Sequence, residues 1–191
     1  MRHFPFIFDL DRFEAVEIEY EGDVARLNTQ PLTAIALASL MRPLMPDVNM
    51  VSAPAVLRQK GAALTESKRE TSPIYGSLIR IKVQTGGRWR SLAGVVNAGM
   101  AKIVEVKGMA LEADFHPVML FINNLDKPGF IGALGTMMGE ANINIATFHL
   151  GRQAAEQDAI AIVGIDQIVP DSIQQKLRAL PHVKYVKVLK F

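Results

Sequence analysis

Between Pro117 and Leu189 the spacing of apolar residues changes in a fixed order, and that order leaves few folds open. Pro117 to Ile122 is a continuous apolar strand. The polar loop Asn123-Asn124-Leu125-Asp126-Lys127-Pro128-Gly129 leads into a helix that runs to about Ala141. Asn144 to Leu150 reads as a second strand, Arg152 to Gln157 as a polar turn, and Ala159 to Ile165 as a third strand. Pro170-Asp171-Ser172 starts a helix with Ile173, Leu177 and Leu180 on one face. Pro181 ends it, and Val183 to Leu189 alternates as a last strand. The order β-α-β-β-α-β is that of a ferredoxin-like sandwich, in which two helices back one face of four antiparallel strands. Such a sheet has edges, which are often covered by a second copy.

The preceding hundred or so residues carry a different pattern. Val16, Ile18 and Tyr20 alternate with Glu17, Glu19 and Glu21, which is a half-buried strand ending at the turn Glu21-Gly22-Asp23. Pro31 suits the first position of a helix over about Leu32 to Leu44, with Thr29 or Gln30 as its cap. Asp47 to Met50 reads as a short strand, followed by a helix that stops near Gly61. Strands are predicted over Ala63–Glu70, Gly76–Gln84, Trp89–Val96, Ala101–Val106 and Met109–Phe115, with a hairpin turn at Gly86-Gly87. The segment is expected to be α+β, a helix pair with an antiparallel sheet. The chain therefore reads as an atypical opening segment (1–13, resembling a tag or a truncation scar), a domain at 14–115 and a second at 116–191.

Composition narrows the function classes. Net charge is 21 − 19 = +2, too small for a nucleic-acid-binding face. No apolar run approaches the roughly 18 residues of a membrane span. The opening MRHFPFIFDLDRF has acidic residues where a signal peptide needs a cleavage site. The absence of cysteine excludes disulfides, thiol catalysis, iron–sulfur clusters and zinc–thiolate sites, and it fits a reducing, cytoplasmic setting. His3, His116, His149 and His182 are scattered without metal-ligand spacing and read as structural or solvent-facing. No HExxH, G-x-S-x-G or P-loop motif occurs, so no catalytic or metal residues are assigned. Gly129, Gly132, Gly135 and Gly139 do not have dinucleotide-fingerprint spacing. Their intervals put them on one helix face, where close packing against the sheet or a neighbouring subunit is expected.

The stretch Asn124-Leu125-Asp126-Lys127-Pro128-Gly129-Phe130 is the richest in chemistry. A strand end meets a helix N-terminus there, whose free N–H groups and positive dipole end suit a carboxylate. Pro128 loses nothing at a first turn, and Gly129 lets a ligand approach the backbone. Asp126 offers a carboxylate to an ammonium group, and Asn124 and Asn144 offer donors and acceptors. Together these suit a zwitterionic amino acid. They suit equally a plain N-cap at Asp126 with asparagines as turn formers.

Residues 116–191 resemble an ACT domain, a small-molecule-sensing module of amino-acid metabolism. The resemblance rests on NLDKPGFIGALGTMMGEANINIATFHLGR, residues 124–152, with its D-K-P-G loop and the N-I at the next strand. Residues 14–115 resemble the intervening, allosteric substrate-binding domain of the long-form D-3-phosphoglycerate dehydrogenase family. The matching stretches are EIEYEGDVARLNTQPLTAIALASLMRPLMPDVNMVSAP and RSLAGVV, AKIVEVKG and LEADF.

The resemblance implies that L-serine, or a similar small amino acid, binds between the ACT domains of two subunits and inhibits. It assigns to that site Asn124, Asp126, Lys127, Pro128, Gly129, Phe130 and Ile131, and from the other chain Asn144 and Ile145. It implies a homo-oligomer joined through ACT domains, with dehydrogenase catalytic domains as partners. No cofactor is assigned to these 191 residues, the family's NAD belonging to catalytic domains whose motifs do not occur here. The chain alone is therefore expected not to oxidise 3-phosphoglycerate. The family's second, anionic site points to Lys102, with Arg88, Arg90 and Arg152 as local candidates, although Asp114 and Gly164 stand where some members have arginine and a solvated basic face is the favoured reading of these cations. Two other readings stay open: a ligand-free oligomerisation module, and the regulatory chain of an L-serine dehydratase.

Overall fold

The computed structural model describes residues 13–154 and 157–191, so the opening segment with His3 lies outside the described residues. The chain divides into two compact units between Gly108 and Met109. The join expected at 115/116 lies a few residues further on.

In the first unit, β1 (Ala15–Gly22) buries Val16, Ile18 and Tyr20 on one face and turns Glu17, Glu19 and Glu21 to the other. A 3-10 turn over Asp23–Arg26 leads to α1 (Gln30–Met41), and α2 (Ala53–Gln59) follows. α1 packs on the apolar face of the strand, and the Tyr20 hydroxyl shares a hydrogen bond of 2.7 Å with Thr33 Oγ1. Thr29 occupies the cap position of α1 but makes no side-chain cap bond. β2 (Ala63–Arg69), β3 (Ser77–Thr85), β4 (Arg88–Asn97) and β5 (Met100–Val106) complete this part, hydrogen-bonded in the order β2-β1-β3-β4-β5. Gly86 and Gly87, both at positive φ, form a two-residue hairpin loop between Thr85 and Arg88.

Two expectations for this unit are corrected. The sheet is mixed rather than antiparallel, because β2 runs parallel to β1. The long connection through α1 and α2 brings the chain back in the same direction, as a parallel pairing requires. Asp47–Met50 forms turns, not a strand. Asn49 Oδ1 accepts the N–H groups of Val51 and Ser52 at 2.9 and 3.1 Å, so a side chain satisfies the backbone that a ladder would have used.

The polar face of β1 is knitted into an ionic network. Arg80 stands opposite Glu19, and Lys82 opposite Glu17. Arg80 donates to Glu19 at 2.7 Å, Glu21 at 3.2 Å and Glu105 at 3.1 Å. Lys82 donates to Glu19, and the Ser91 hydroxyl to Glu105 at 2.8 Å. Burial pulls the Glu19 carboxyl upward, but the hydrogen bonds from Lys82 and Arg80 outweigh it and hold the group below its ordinary value.

The second unit begins with β6 (Met109–Asp114). β7 (Val118–Leu125), α3 (Phe130–Glu140), β8 (Ile145–Arg152), β9 (Asp158–Ile165), α4 (Asp171–Arg178) and β10 (Val183–Lys190) follow. The sheet order β10-β7-β9-β8, antiparallel throughout, is the expected ferredoxin-like arrangement. Leu120, Ile122, Ala161, Val163, Ile165 and Val186 face Phe130, Leu134, Met138 and Leu177 in one core. The opposite face of the sheet is buried too, at Met119, Phe121, Ile160 and Ile162. β6 packs beside β8 so closely that a Cβ on Gly151 would lie 2.8 Å from the Ala110 carbonyl oxygen.

The glycine face of α3 does not pack against the sheet. Cβ atoms built at Gly132, Gly135 and Gly139 meet nothing within 4 Å, and the packed face carries Phe130, Leu134 and Met138. The spacing i, i+4, i+8 of those three is what a buried helix stripe needs. Among the described residues no helix is long and apolar enough to cross a membrane.

The network on β1 gives a pH-dependent prediction. Because the folded-state Glu19 carboxyl lies below its ordinary 4.5, the unfolded chain takes up that proton first as pH falls. Its contribution is full above 4.5 and fades as pH drops through the folded value. Glu19→Gln is expected to cost about 1 kcal/mol near neutral pH. Denaturant unfolding should show the gap to wild type narrowing as pH falls below 4.5; a constant gap would contradict the assignment.

Candidate functional site

The corner between β7 and α3 is built by backbone bonds before any side chain is considered. Leu125 N–H donates to the His182 carbonyl at 2.9 Å, Asp126 N–H to the Gln157 carbonyl at 2.8 Å, and Lys127 N–H to the Leu125 carbonyl at 2.9 Å. Pro128 has no N–H to leave unpaired. Gly129, at φ 94°, turns the chain into the helix from the left-handed region, where a side chain is disfavoured. Its carbonyl accepts the Ala133 N–H at 2.9 Å.

Asp126 therefore does not cap α3. Gly129 is the cap residue and no side chain caps the helix, so its first N–H groups are open to an anion. Asp126 instead accepts from Arg152 Nη1 at 2.9 Å. Asn124 is 1% exposed at the end of β7. Its Nδ2 donates to the Leu125 carbonyl at 2.8 Å, while its buried Oδ1 has no hydrogen-bond partner. A buried acceptor without a donor is costly. Phe130 is a core residue, whereas Ile131 is 55% exposed beside the helix start.

The structure thus brings Asn124, Asp126, Lys127, Pro128, Gly129, Phe130 and Ile131 together, with Arg152 added. It does not bring Asn144 and Ile145 to them. Leu125 pairs with Asp158, and Arg152 with Ala159, at one end of the sheet. Ile145 and Val118 both pair with Ile165 at the other end. The two ends are about 23 Å apart at the usual strand rise. Asn144 is held by Asp166 and Gln167, with Asn144 Nδ2 to Asp166 Oδ2 at 2.6 Å and Asn144 N–H to Gln167 Oε1 at 2.9 Å. The contacts of Asp166 and Gln167 with Asn144 and of Arg152 with Asp126 join residues distant in the chain and leave no local pattern in the sequence.

The three cations that the first unit offers for an anionic site, Arg88, Arg90 and Lys102, do not form one cluster. Arg152 is engaged with Asp126 in the second unit. Arg90 Nη1 donates to Thr85 Oγ1 at 2.6 Å beside Arg88 at the β3–β4 hairpin. Lys102 stands opposite Val95, about 17 Å further along β4. At Gly164 a Cβ would lie 2.5 Å from Thr147 Oγ1 and 3.1 Å from His116 Cβ, so an arginine has no room there without rearrangement.

Comparison with known proteins agrees with this division of the chain. A family profile described as the D-3-phosphoglycerate dehydrogenase intervening domain matches residues 7–107, which bears out the resemblance read from residues 14–115 and begins inside the opening segment. Proteins named D-3-phosphoglycerate dehydrogenase are similar over most of the chain. The Bacillus subtilis one is 31% identical and the Methanocaldococcus jannaschii one 29%, each over 91% of this chain. The Archaeoglobus fulgidus one is 30% identical, again over 91%. The chain spans about a third of the length of these curated relatives.

The two kinds of glycine at this corner separate in a stability measurement. Gly129→Ala is expected to cost about 1 kcal/mol through its positive φ. Gly132→Ala, on helical backbone in open space, should add roughly 0.5–1 kcal/mol. Denaturant melts of both variants check this, and a loss at Gly132 would mean that its face is covered.

Proposed function

The chain belongs to the D-3-phosphoglycerate dehydrogenase intervening-domain family, and on that premise we propose that it is a regulatory part of such an enzyme whose second unit is an ACT domain binding L-serine between two copies. The observation that carries this reading is the placement of the two half-sites. Asp126 with the open N-terminus of α3 lies at one end of the sheet, and Asn144 at the other. A single small amino acid reaches both only if a second copy, turned end for end, brings its Asn144 to the first copy's Asp126.

The chemistry of each group fits serine. The N–H groups at the start of α3 and the Arg152 guanidinium suit the carboxylate. Asp126, whose orientation Arg152 already fixes, suits the ammonium. The unpartnered Asn124 Oδ1 suits a ligand donor. Lys127, Pro128, Gly129, Ile131 and Ile145 would line the contact, while Phe130 anchors the helix start from the core. Regulation would follow by linkage: a ligand that bridges two copies favours one subunit arrangement, and activity in the attached catalytic domains falls accordingly. NAD chemistry would belong to those domains. The setting would be the cytoplasm, with feedback inhibition of serine biosynthesis as the outcome.

A ligand-free pairing module is the second reading, favoured by the fact that Asp126 already has a cationic partner in Arg152. Calorimetric titration of the chain with L-serine, and D-serine as control, separates the two. Saturable binding of the L form alone is expected, and Asp126→Ala should weaken it at least tenfold without lowering the melting temperature. A dimer in solution that binds no serine at millimolar concentration would leave only the pairing role.

A further inference from the structure

Asn144 is gripped on three sides by the segment that ends β9. Its backbone N–H donates to Gln167 Oε1 and its Nδ2 to Asp166 Oδ2, and the Asp166 N–H returns a bond to the Asn144 carbonyl at 3.3 Å. The other carboxylate oxygen of Asp166 lies 3.8 Å from His116 Nε2. A carboxylate can only accept hydrogen bonds, whereas an amide has a donating end and an accepting end. Asp166 therefore fixes which way the Asn144 amide points. The NH2 end is taken by the carboxylate, and Oδ1 is turned away from it. Among the described residues nothing donates to that Oδ1.

We propose that Asp166 is a positioning residue for the effector site, one that holds the Asn144 carbonyl oxygen outward so that this half-site recognises a hydrogen-bond donor on the ligand. The inference rests on the reading of Asn144 as a serine-binding residue. It adds a specificity rule. An ammonium or hydroxyl is accepted at this position, and a group that can only accept hydrogen bonds is refused, because the amide cannot turn over without opposing two acceptor atoms. Gln167 and the Asp166–Asn144 backbone bond fix where the residue sits, and the Asp166 carboxylate fixes how its amide is turned.

The test is a double-mutant cycle on the full chain, read by calorimetric titration of L-serine. Asp166→Ala is expected to weaken binding by about five- to tenfold, the worth of one hydrogen bond. Asn144→Ala should weaken it at least as much. In the Asn144→Ala background the Asp166 substitution should add nothing, because Asp166 acts only through Asn144. Asp166→Asn, which keeps an acceptor for the Nδ2, should recover part of the lost affinity; it also serves if the alanine variant is unstable. Wild-type affinity in Asp166→Ala, or an equal loss in the Asn144→Ala background, would overturn the proposal. The side-chain amide resonance of Asn144 in the ligand-free chain gives an independent reading. It should shift on Asp166→Ala, and an unmoved resonance also overturns the proposal. A shifted resonance in a protein that binds no serine would mean that the positioning is real and the serine reading is wrong.

Discussion

The second unit depends on two strands, β7 and β9, that are buried on both faces. Their apolar side chains leave one place for α3 and α4 on one side, and every other element of the unit is arranged around that pair. The arrangement has a consequence for the loops. β7 and β8 run in the same direction, with α3 returning between them. The end of β7 and the beginning of β8 are then necessarily at opposite ends of the sheet. Asp126 and Asn144 are close in sequence and belong to adjacent connections, yet the topology separates them by the length of a strand. The separation is a property of this fold, and a ligand that needed both groups would need two copies.

The parts legible in the sequence are those fixed by local pattern. The alternation of Val16, Ile18 and Tyr20 marks a strand face, and the apolar runs at Pro117–Ile122 and Ala159–Ile165 mark strands, but the sandwich pattern implies one covered face where the structure buries both. Pro128 and Gly129 marked the helix start because each has a restricted or unusual backbone. What stayed illegible is non-local. The Glu residues of β1 read as a solvent face, and their partners Arg80, Lys82 and Glu105 lie on other strands. The parallel course of β2 depends on where α1 and α2 deliver the chain, which no residue of β2 announces. The sequence leaves Asp126 open between a helix cap and a ligand carboxylate, and only the register of β8 against β9 brings Arg152 to it. The spacing of the α3 glycines predicts a face packed against the sheet or a neighbouring subunit, and it is not the sheet that they meet. The buried stripe of that helix is set by its large apolar residues, and the glycines fall opposite.

Both proposed half-sites are set before any ligand arrives. Arg152 holds Asp126, and Asp166 with Gln167 holds Asn144, so little side-chain freedom remains to be lost on binding. That matters for a ligand as small as serine. At a ceiling of about 1.5 kcal/mol per heavy atom it can gain at most roughly 10 kcal/mol, from which ordering costs are subtracted. The coupling needed to shift an enzyme between two arrangements is about 1–3 kcal/mol. A preset site leaves that amount available, whereas a loop that had to fold around the ligand would consume it. On the proposed reading the ligand's leverage would come from geometry rather than tightness: it would bind one arrangement of two copies in which both halves meet and not one in which they are apart, and that difference in affinity would move the equilibrium.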